Sequence, residues 1–347
     1  MQRETWADYS KAIVICLMVW GHCCMSHTII MKLIFSFHMP AFFLISGYFD
    51  KSSQRTFLQT FQKNCRELLL PYLLFSIIGL SICWISPTVH PELFFYPEST
   101  GDIFLAAIRG IFKADNQIVP HAFLPISYYW FLISLFSIRI LFAGYQKILE
   151  ACKRSAMALW FIPVLLAIAI FPKLRHVYWF CIDSTLMGLP IYILGYVCKR
   201  YSIVDCLKRL PFILWFLFGI IFYFSSLKNG GVAMHTGNTG NHLLLFYFNA
   251  ILGSLLLIGI TFRLPSSYSW LQWIGRNTLP ILLIHIYFVL MCKAIYQYIF
   301  HLDLTQIPLW LSLITTVIVM SGCIGCIMVY KTIIKNKIKR CLTSFHP

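Results

Sequence analysis

The feature that most constrains this chain is the recurrence of apolar stretches about twenty residues long, separated by short polar breaks. The stretch from 242 to 262, HLLLFYFNAILGSLLLIGITF, contains no Lys, Arg, Asp or Glu. A run of that length matches the hydrocarbon core of a bilayer when it is helical. Ten such spans are expected, at about 10–27, 30–49, 68–86, 127–144, 156–171, 177–198, 211–227, 242–262, 279–299 and 307–330. Only 12% of the residues are charged and 59% are hydrophobic, whereas roughly a quarter of a soluble domain is charged. The expected fold class is therefore all-α, a polytopic integral membrane protein with about ten transmembrane helices. Residues 1–330 form the membrane domain, and 331–347 a basic tail.

Basic residues set the orientation. Arg3, Lys51, Arg55, Lys63, Arg66, Arg139, Lys147, Lys199, Arg200, Lys208, Arg263, Arg276 and the lysines of the tail fall on the side that carries both termini. Only Arg109, Lys113, Lys173, Arg175 and Lys228 fall on the other. Both termini are thus expected in the cytoplasm. This bias accounts for the net charge of +16 without a nucleic-acid partner; the partners expected from the composition are membrane lipids. The first apolar run has no small-residue cleavage site after it, so it reads as a retained helix and not a signal peptide. The 13 cysteines are scattered through apolar segments and read as small buried residues. Cys323 and Cys326 form a CxxC, but without nearby ligands no metal site is expected.

The first two spans each carry histidine where lipid is expected. The stretch from Asp8 to Tyr48 reads DYSKAIVICLMVWGHCC and then FSFHMPAFFLISGY, with His22 and His38 inside it. Titratable residues within a span usually face a bundle interior or a wet cavity. Asp8 and Lys11 are three apart and can pair on one helical face. Lys11 and His22 are eleven apart, about three turns or roughly 16 Å along the same face. A cation near the membrane surface with a titratable ring below it suits the wall of a site. Pro40 removes one backbone bond and releases the Ser36 carbonyl.

This pair of segments resembles the start of acyltransferase family 3, integral membrane proteins that O-acylate carbohydrates. The resemblance is carried by Asp8, Lys11, Gly21 and His22, then by Phe37, His38, Met39, Pro40, Phe42, Phe43, Ser46, Gly47 and Tyr48. One departure is Lys11, where the family commonly has arginine; lysine keeps the charge but loses the bidentate fork. Further along, CRELLLPY resembles the family's basic residue before an apolar run and Pro-Tyr, which singles out Arg66. YYWFLISLF resembles its Trp-Phe-Leu segment, which singles out Trp130, although Tyr128, Tyr129 and Trp130 also suit an interfacial aromatic belt. IGRNTLPILLIHIYF resembles its Gly-x-x-Thr segment ending in histidine, which singles out His285, a residue that helix packing explains equally well.

The resemblance implies a membrane O-acyltransferase in a bacterial cytoplasmic (inner) membrane. It would move an acyl group, most simply acetyl, from acetyl-CoA to a sugar hydroxyl of a surface polysaccharide or its lipid-linked precursor. Acetyl-CoA is then a co-substrate, and no tightly bound cofactor is expected. Such transfer needs a base for the hydroxyl proton, donors for the oxyanion and a hold on the donor. Histidine titrates near neutrality and suits the base. His22 is the candidate base or transient acyl carrier, and His38 shares or positions the proton. Ser46 can donate a hydrogen bond, and Lys11 sits where the coenzyme's phosphates would arrive. Some relatives carry an added extracytoplasmic hydrolase-like domain; none is expected within these residues.

Three further features complete the reading. Residues 51–67, with Phe57, Leu58, Phe61 and Cys65 at helical spacing, suggest a short interfacial helix. The stretch 87–126 is expected as the longest outer loop. Asp183 and Lys293 fall at similar depth in two spans and could neutralise each other, or Lys293 could snorkel to the surface. His90, His121, His176, His235, His301 and His346 fall in loops or the tail and are given no role. The intramembrane charges and histidines would also suit a proton-coupled transporter or flippase, though no inverted repeat is visible. A polysaccharide export partner without catalysis is the third reading.

Overall fold

The computed structural model describes residues 4–24, 28–89, 108, 110–111, 128–153, 157–175, 179–302 and 307–334. Ten helices stand at the ten expected places: α1 (Thr5–Cys23), α2 (Thr28–Tyr48), α4 (Leu70–Val89), α5 (Trp130–Ala151), α6 (Phe161–Leu174), α7 (Ile182–Arg200), α8 (Phe212–Asn229), α9 (Leu243–Thr261), α11 (Thr278–Tyr298) and α12 (Leu309–Val329). Two amphipathic helices, α3 (Phe57–Asn64) and α10 (Ser269–Arg276), lie between them. Among the described residues there is no β-strand, only an isolated bridge between Ala233 and Asn238.

Seven of these helices, α2, α5, α7, α8, α9, α11 and α12, lie in segments long and apolar enough to cross a membrane. The other three do not meet that standard among the described residues. The 14 residues of α6 rise only about 21 Å, short of a core roughly 30 Å thick. Helix α1 opens with a polar turn holding Asp8 and Lys11. The expected outer loop lies outside the described residues from 90 onward, apart from 108 and 110–111, and so does the tail beyond 334.

Helix α2 is the hub. It is buried almost continuously from Met39 to Tyr48 and packs on α1, α7 and α9. Its crossing with α7 is a backbone-to-backbone approach. A Cβ placed on Gly47 would stand 1.9 Å from the Tyr192 carbonyl oxygen, and one on Gly195 would stand 2.0 Å from that of Leu44. Small residues that let helices approach this closely are how packing energy is gained where lipid removes the hydrophobic drive. Outward faces of α6, α8 and α12 present Leu165, Phe212, Phe224 and Val317, as lipid-facing surfaces should.

The ends of three helices meet on one face of the bundle. Glu4, just before α1, accepts from Lys199 Nζ at 2.6 Å, from Tyr48 Oη at 3.2 Å and from Trp6 Nε1 at 2.5 Å. Burial alone would raise the Glu4 carboxyl, but the hydrogen bonds from Lys199 and Trp6 outweigh it and hold the group below its ordinary range. On the same face, α3 begins with a capping box in which Gln59 N donates to Thr56 Oγ1 and Thr56 N donates to Gln59 Oε1. Its residues Phe57, Leu58 and Phe61 are exposed, as an interfacial helix requires. A π-helical turn, Cys65–Leu69, joins α3 to α4. Pro71 cannot donate to the carbonyl of Glu67, and Leu70 N reaches back five residues to Cys65 O instead.

Helix α10 departs from the sequence reading, which placed no helix between the spans at 242–262 and 279–299. It lies against α1 so closely that a Cβ on Gly275 would sit 1.9 Å from Asp8 O.

Candidate active site

Four helices each turn one face toward two neighbouring cavities. On α1 that face carries Lys11, Met18 and His22; on α2, Phe35, His38, Phe42 and Ser46, with Phe49 just past its end; on α5, Phe131, Leu135 and Arg139; on α11, Thr278, Leu282 and His285. Spacings of three, four and seven are those of one helical stripe. Phe131 and Leu282 line both cavities and form the wall between them.

The inner cavity holds about 100 Å³ and is lined by His22, His38 and His285, with Tyr128 and Trp130 beside them. His38 Nδ1 lies 2.8 Å from Ile34 O, and His285 Nδ1 lies 2.8 Å from Leu282 O. A carbonyl can only accept, so both Nδ1 atoms carry the proton and both Nε2 atoms keep a lone pair. The backbone of each helix thereby sets the tautomer that a base needs. His285 Nε2 is buried without a hydrogen-bond partner among the described residues. A buried polar atom left unsatisfied costs about 1–3 kcal/mol, and a hydroxyl entering the cavity would satisfy this one. His22 is half-buried. Its ring lies 5.4 Å from that of His285 and meets Tyr128 edge-on at 5.1 Å.

The outer cavity, about 600 Å³, opens toward the face that carries Glu4 and is lined by Lys11, Ser46, Arg66 and Arg139. Arg139 is the residue that sequence reasoning passed over. Its Nη2 donates to Ser46 Oγ at 2.9 Å and its Nη1 to Asn64 Oδ1 at 3.1 Å, and Glu67 Oε2 lies 3.8 Å away. Counting it among the positive-inside residues hid the fact that its helix turns it inward. The π turn places Arg66, Glu67 and Leu68, three consecutive residues, on the same cavity wall; such turns recur at functional sites. Lys11 Nζ lies 3.0 Å from Asp8 Oδ1, and Arg276 Nε donates to Asp8 Oδ2 at 3.2 Å. One buried carboxylate thus holds two cations and ties α10 to α1.

Trp130 and Phe131 line the histidine cavity side by side. Tyr129 is not a belt residue, because it is fully buried and its hydroxyl donates to Leu283 O at 2.9 Å. Asp183 accepts from Ser184 N at 2.7 Å and lies under Gly237. Lys293 is half-buried on α11, and no ion pair joins it to Asp183 among the described residues. No group of three or more His, Cys, Asp or Glu among the described residues could hold a metal.

Comparison with known proteins adds an independent line. A family model described as an acyltransferase domain matches residues 4–328. Among curated proteins, nodulation protein NolL of Mesorhizobium japonicum is 27% identical over 217 residues, covering 58% of this chain and 52% of NolL. The chain thus spans about half the length of that relative. No solved structure matches.

Proposed function

As the chain belongs to acyltransferase family 3, we propose that it is a membrane O-acyltransferase that moves acetyl from cytoplasmic acetyl-CoA to a sugar hydroxyl of a surface glycan or its lipid-linked precursor. The observation that carries this reading is the pair of abutting cavities. Three histidines gather around the inner one, and the outer one is lined by Lys11, Arg66 and Arg139. At about 600 Å³ the outer cavity is within the range of small-molecule sites and takes the pantetheine arm, with its cations toward the phosphates. The two cavities meet at Phe131 and Leu282, so a thioester threaded from the outer cavity would present its carbonyl to the histidines.

In the proposed reaction His22 removes the proton from the sugar hydroxyl. The oxygen attacks the thioester carbonyl, and a tetrahedral oxyanion forms. It collapses to the ester with loss of the coenzyme A thiolate, which recovers the proton from the imidazolium. The second nitrogen of the His22 ring keeps its proton and donates it in a hydrogen bond to the unprotonated Nε2 of His285 or His38, which positions the base. Positioned bases contribute about 10²–10⁴ in rate. Ten membrane spans with both termini in the cytoplasm is the topology we assign, from the distribution of basic residues.

The test is label transfer from radiolabelled acetyl-CoA in membranes containing wild type or His22→Ala at equal expression. The reading expects label in a glycan or glycolipid fraction for wild type and loss of at least a hundredfold in the variant. No consumption of acetyl-CoA in the presence of native glycans would refute it, and equal labelling would refute the role of His22.

A further inference from the structure

His235 belongs to the loop between α8 and α9, on the face of the bundle opposite Glu4. That placement follows from chain direction, since α8 starts beside the end of α7, where Lys199 meets Glu4, and runs away from it. Val232, Ala233, Met234 and His235 nevertheless line the same small cavity as His22, His38 and His285. His235 is exposed to solvent and at the same time lines this cavity.

The loop is built to hold that position. Ala233 N donates to Asn238 O at 2.9 Å, and Asn238 N donates back to Ala233 O at 3.0 Å. Asn229, fully buried, donates from Nδ2 to Thr239 O at 2.8 Å, and its Oδ1 accepts from His242 N at 3.0 Å. Ser184 Oγ on α7 donates to Met234 O at 2.7 Å. Gly237 turns at φ +66° against the carbonyl of Arg175, where a Cβ would come within 2.4 Å, so only glycine fits there. Backbone pinned in this way at the residues flanking His235 fixes where its ring begins.

Cavity size then decides what meets that ring. At about 100 Å³ the histidine cavity is smaller than a cavity of about 150 Å³ that just admits benzene. It can take an acetyl group with the carbon and oxygen of one hydroxyl, but not a sugar ring. If a sugar is the acceptor, its ring must stay outside, where it can reach the exposed imidazole of His235 and, with Trp130 and Tyr128 also in the lining, an aromatic surface. An aromatic face beside a two-nitrogen hydrogen-bonding ring suits a pyranose, which offers apolar C–H faces and hydroxyls at its edge.

Resting on the acyltransferase reading above, we propose that His235 is an acceptor-positioning residue: it hydrogen-bonds a ring hydroxyl of the incoming sugar next to the one acylated, and so selects which hydroxyl enters the histidine cavity. An uncharged histidine ring both donates and accepts, so it can bond a hydroxyl in either direction.

The test measures initial rates of wild type, His235→Ala and His235→Gln with acetyl-CoA against a panel of free and lipid-linked oligosaccharides of hexose, N-acetylhexosamine and deoxyhexose units. The acceptor KM is expected to rise about tenfold in His235→Ala and less in His235→Gln, with the acetyl-CoA KM within twofold of wild type and the position of acetylation blurred. A fall in kcat at unchanged acceptor KM, or equal changes for both substrates, overturns the proposal. A second measurement needs no turnover: His235→Cys is labelled with a membrane-impermeant maleimide, against the unsubstituted protein, with and without the same saccharides. If wild type acylates none of them, the function proposed above fails. Saccharide protection of Cys labelling would then leave the contact standing, and absence of protection would remove it too.

Discussion

Substituting alanine for Gly47 should damage stability and activity together, by an amount that the α2–α7 crossing sets. A Cβ at Gly47 would stand 1.9 Å from Tyr192 O, against a lower limit near 3.0 Å for real Cβ contacts. The neighbour is backbone within a helix, so no side chain can swing aside, and α2 and α7 must part by about 1 Å, a displacement that can cost on the order of a hundredfold in rate when it reaches a reacting geometry. Overpacking of this kind costs typically about 1–3 kcal/mol. The same displacement acts on Ser46, the next residue, whose hydroxyl accepts from Arg139 at 2.9 Å, and on His38 two and a half turns earlier.

Gly195→Ala asks for the same separation from the other side, because its Cβ would stand 2.0 Å from Leu44 O. Once the helices have parted for one methyl group, the second costs little, so the double variant should lose clearly less than the sum of the singles. Gly219→Ala is the matched control, since nothing lies within 4 Å of its Cβ position. The assay is thermal unfolding of the detergent-purified protein beside acetyl transfer in membranes. Wild-type stability and rate in Gly47→Ala, or a double variant that loses the full sum, would refute the reasoning.

Other expectations can be checked with the same material. Arg139→Lys keeps the charge but cannot bridge Ser46 and Asn64, so the acetyl-CoA KM should rise about tenfold in steady-state kinetics with kcat nearly kept; an unchanged KM would exclude Arg139 from the donor cavity. His285→Ala should lower kcat by less than the roughly 10²–10⁴ that the base itself contributes, while leaving acetyl-CoA binding by filtration intact. The Glu4 carboxyl is held below its ordinary value, so its contribution to stability is present above the unfolded carboxylate pKa and is lost as pH falls through the folded one. Glu4→Gln should therefore unfold earlier than wild type at pH 7, and the gap between their melting curves should close as the pH falls below the ordinary carboxylate range.

The helices were legible because a backbone in lipid has to bond itself, which makes every long apolar run a helix. That rule places elements but says nothing about which faces meet. His22 and His38 stood out because a titratable side chain in lipid is anomalous wherever it points. Arg139 did not, because an arginine counted toward the positive-inside rule fits it whether the side chain faces water or a cavity. His235 was passed over for a related reason: loops hold most histidines without consequence, and only the hydrogen bonds around Asn229 and Ser184 bring this one to the cavity. Helix α10 was hidden because its eight residues, SWLQWIGR, run directly into the next apolar stretch. Asp183 and Lys293 matched in estimated depth, but depth ignores rotation about the helix axis, which decides what each side chain faces.

The architecture also explains why the histidines arrive on different helices. A helix presents one residue per turn to a given line, so two rings at the same depth must come from two helices. His22, His38 and His285 come from α1, α2 and α11 and converge around one small cavity. Their geometry therefore depends on interhelical spacing, which in lipid is set by small residues and not by burial from water. The glycine contacts on α1 and α2 serve that spacing: Gly21, the neighbour of His22, lies where a Cβ would meet the Phe35 ring at 3.0 Å, and Gly47 holds α2 against α7. A family motif that reads as Gly-His followed by Ser-Gly-Tyr is, in physical terms, a chemical group written next to the small residue that positions it.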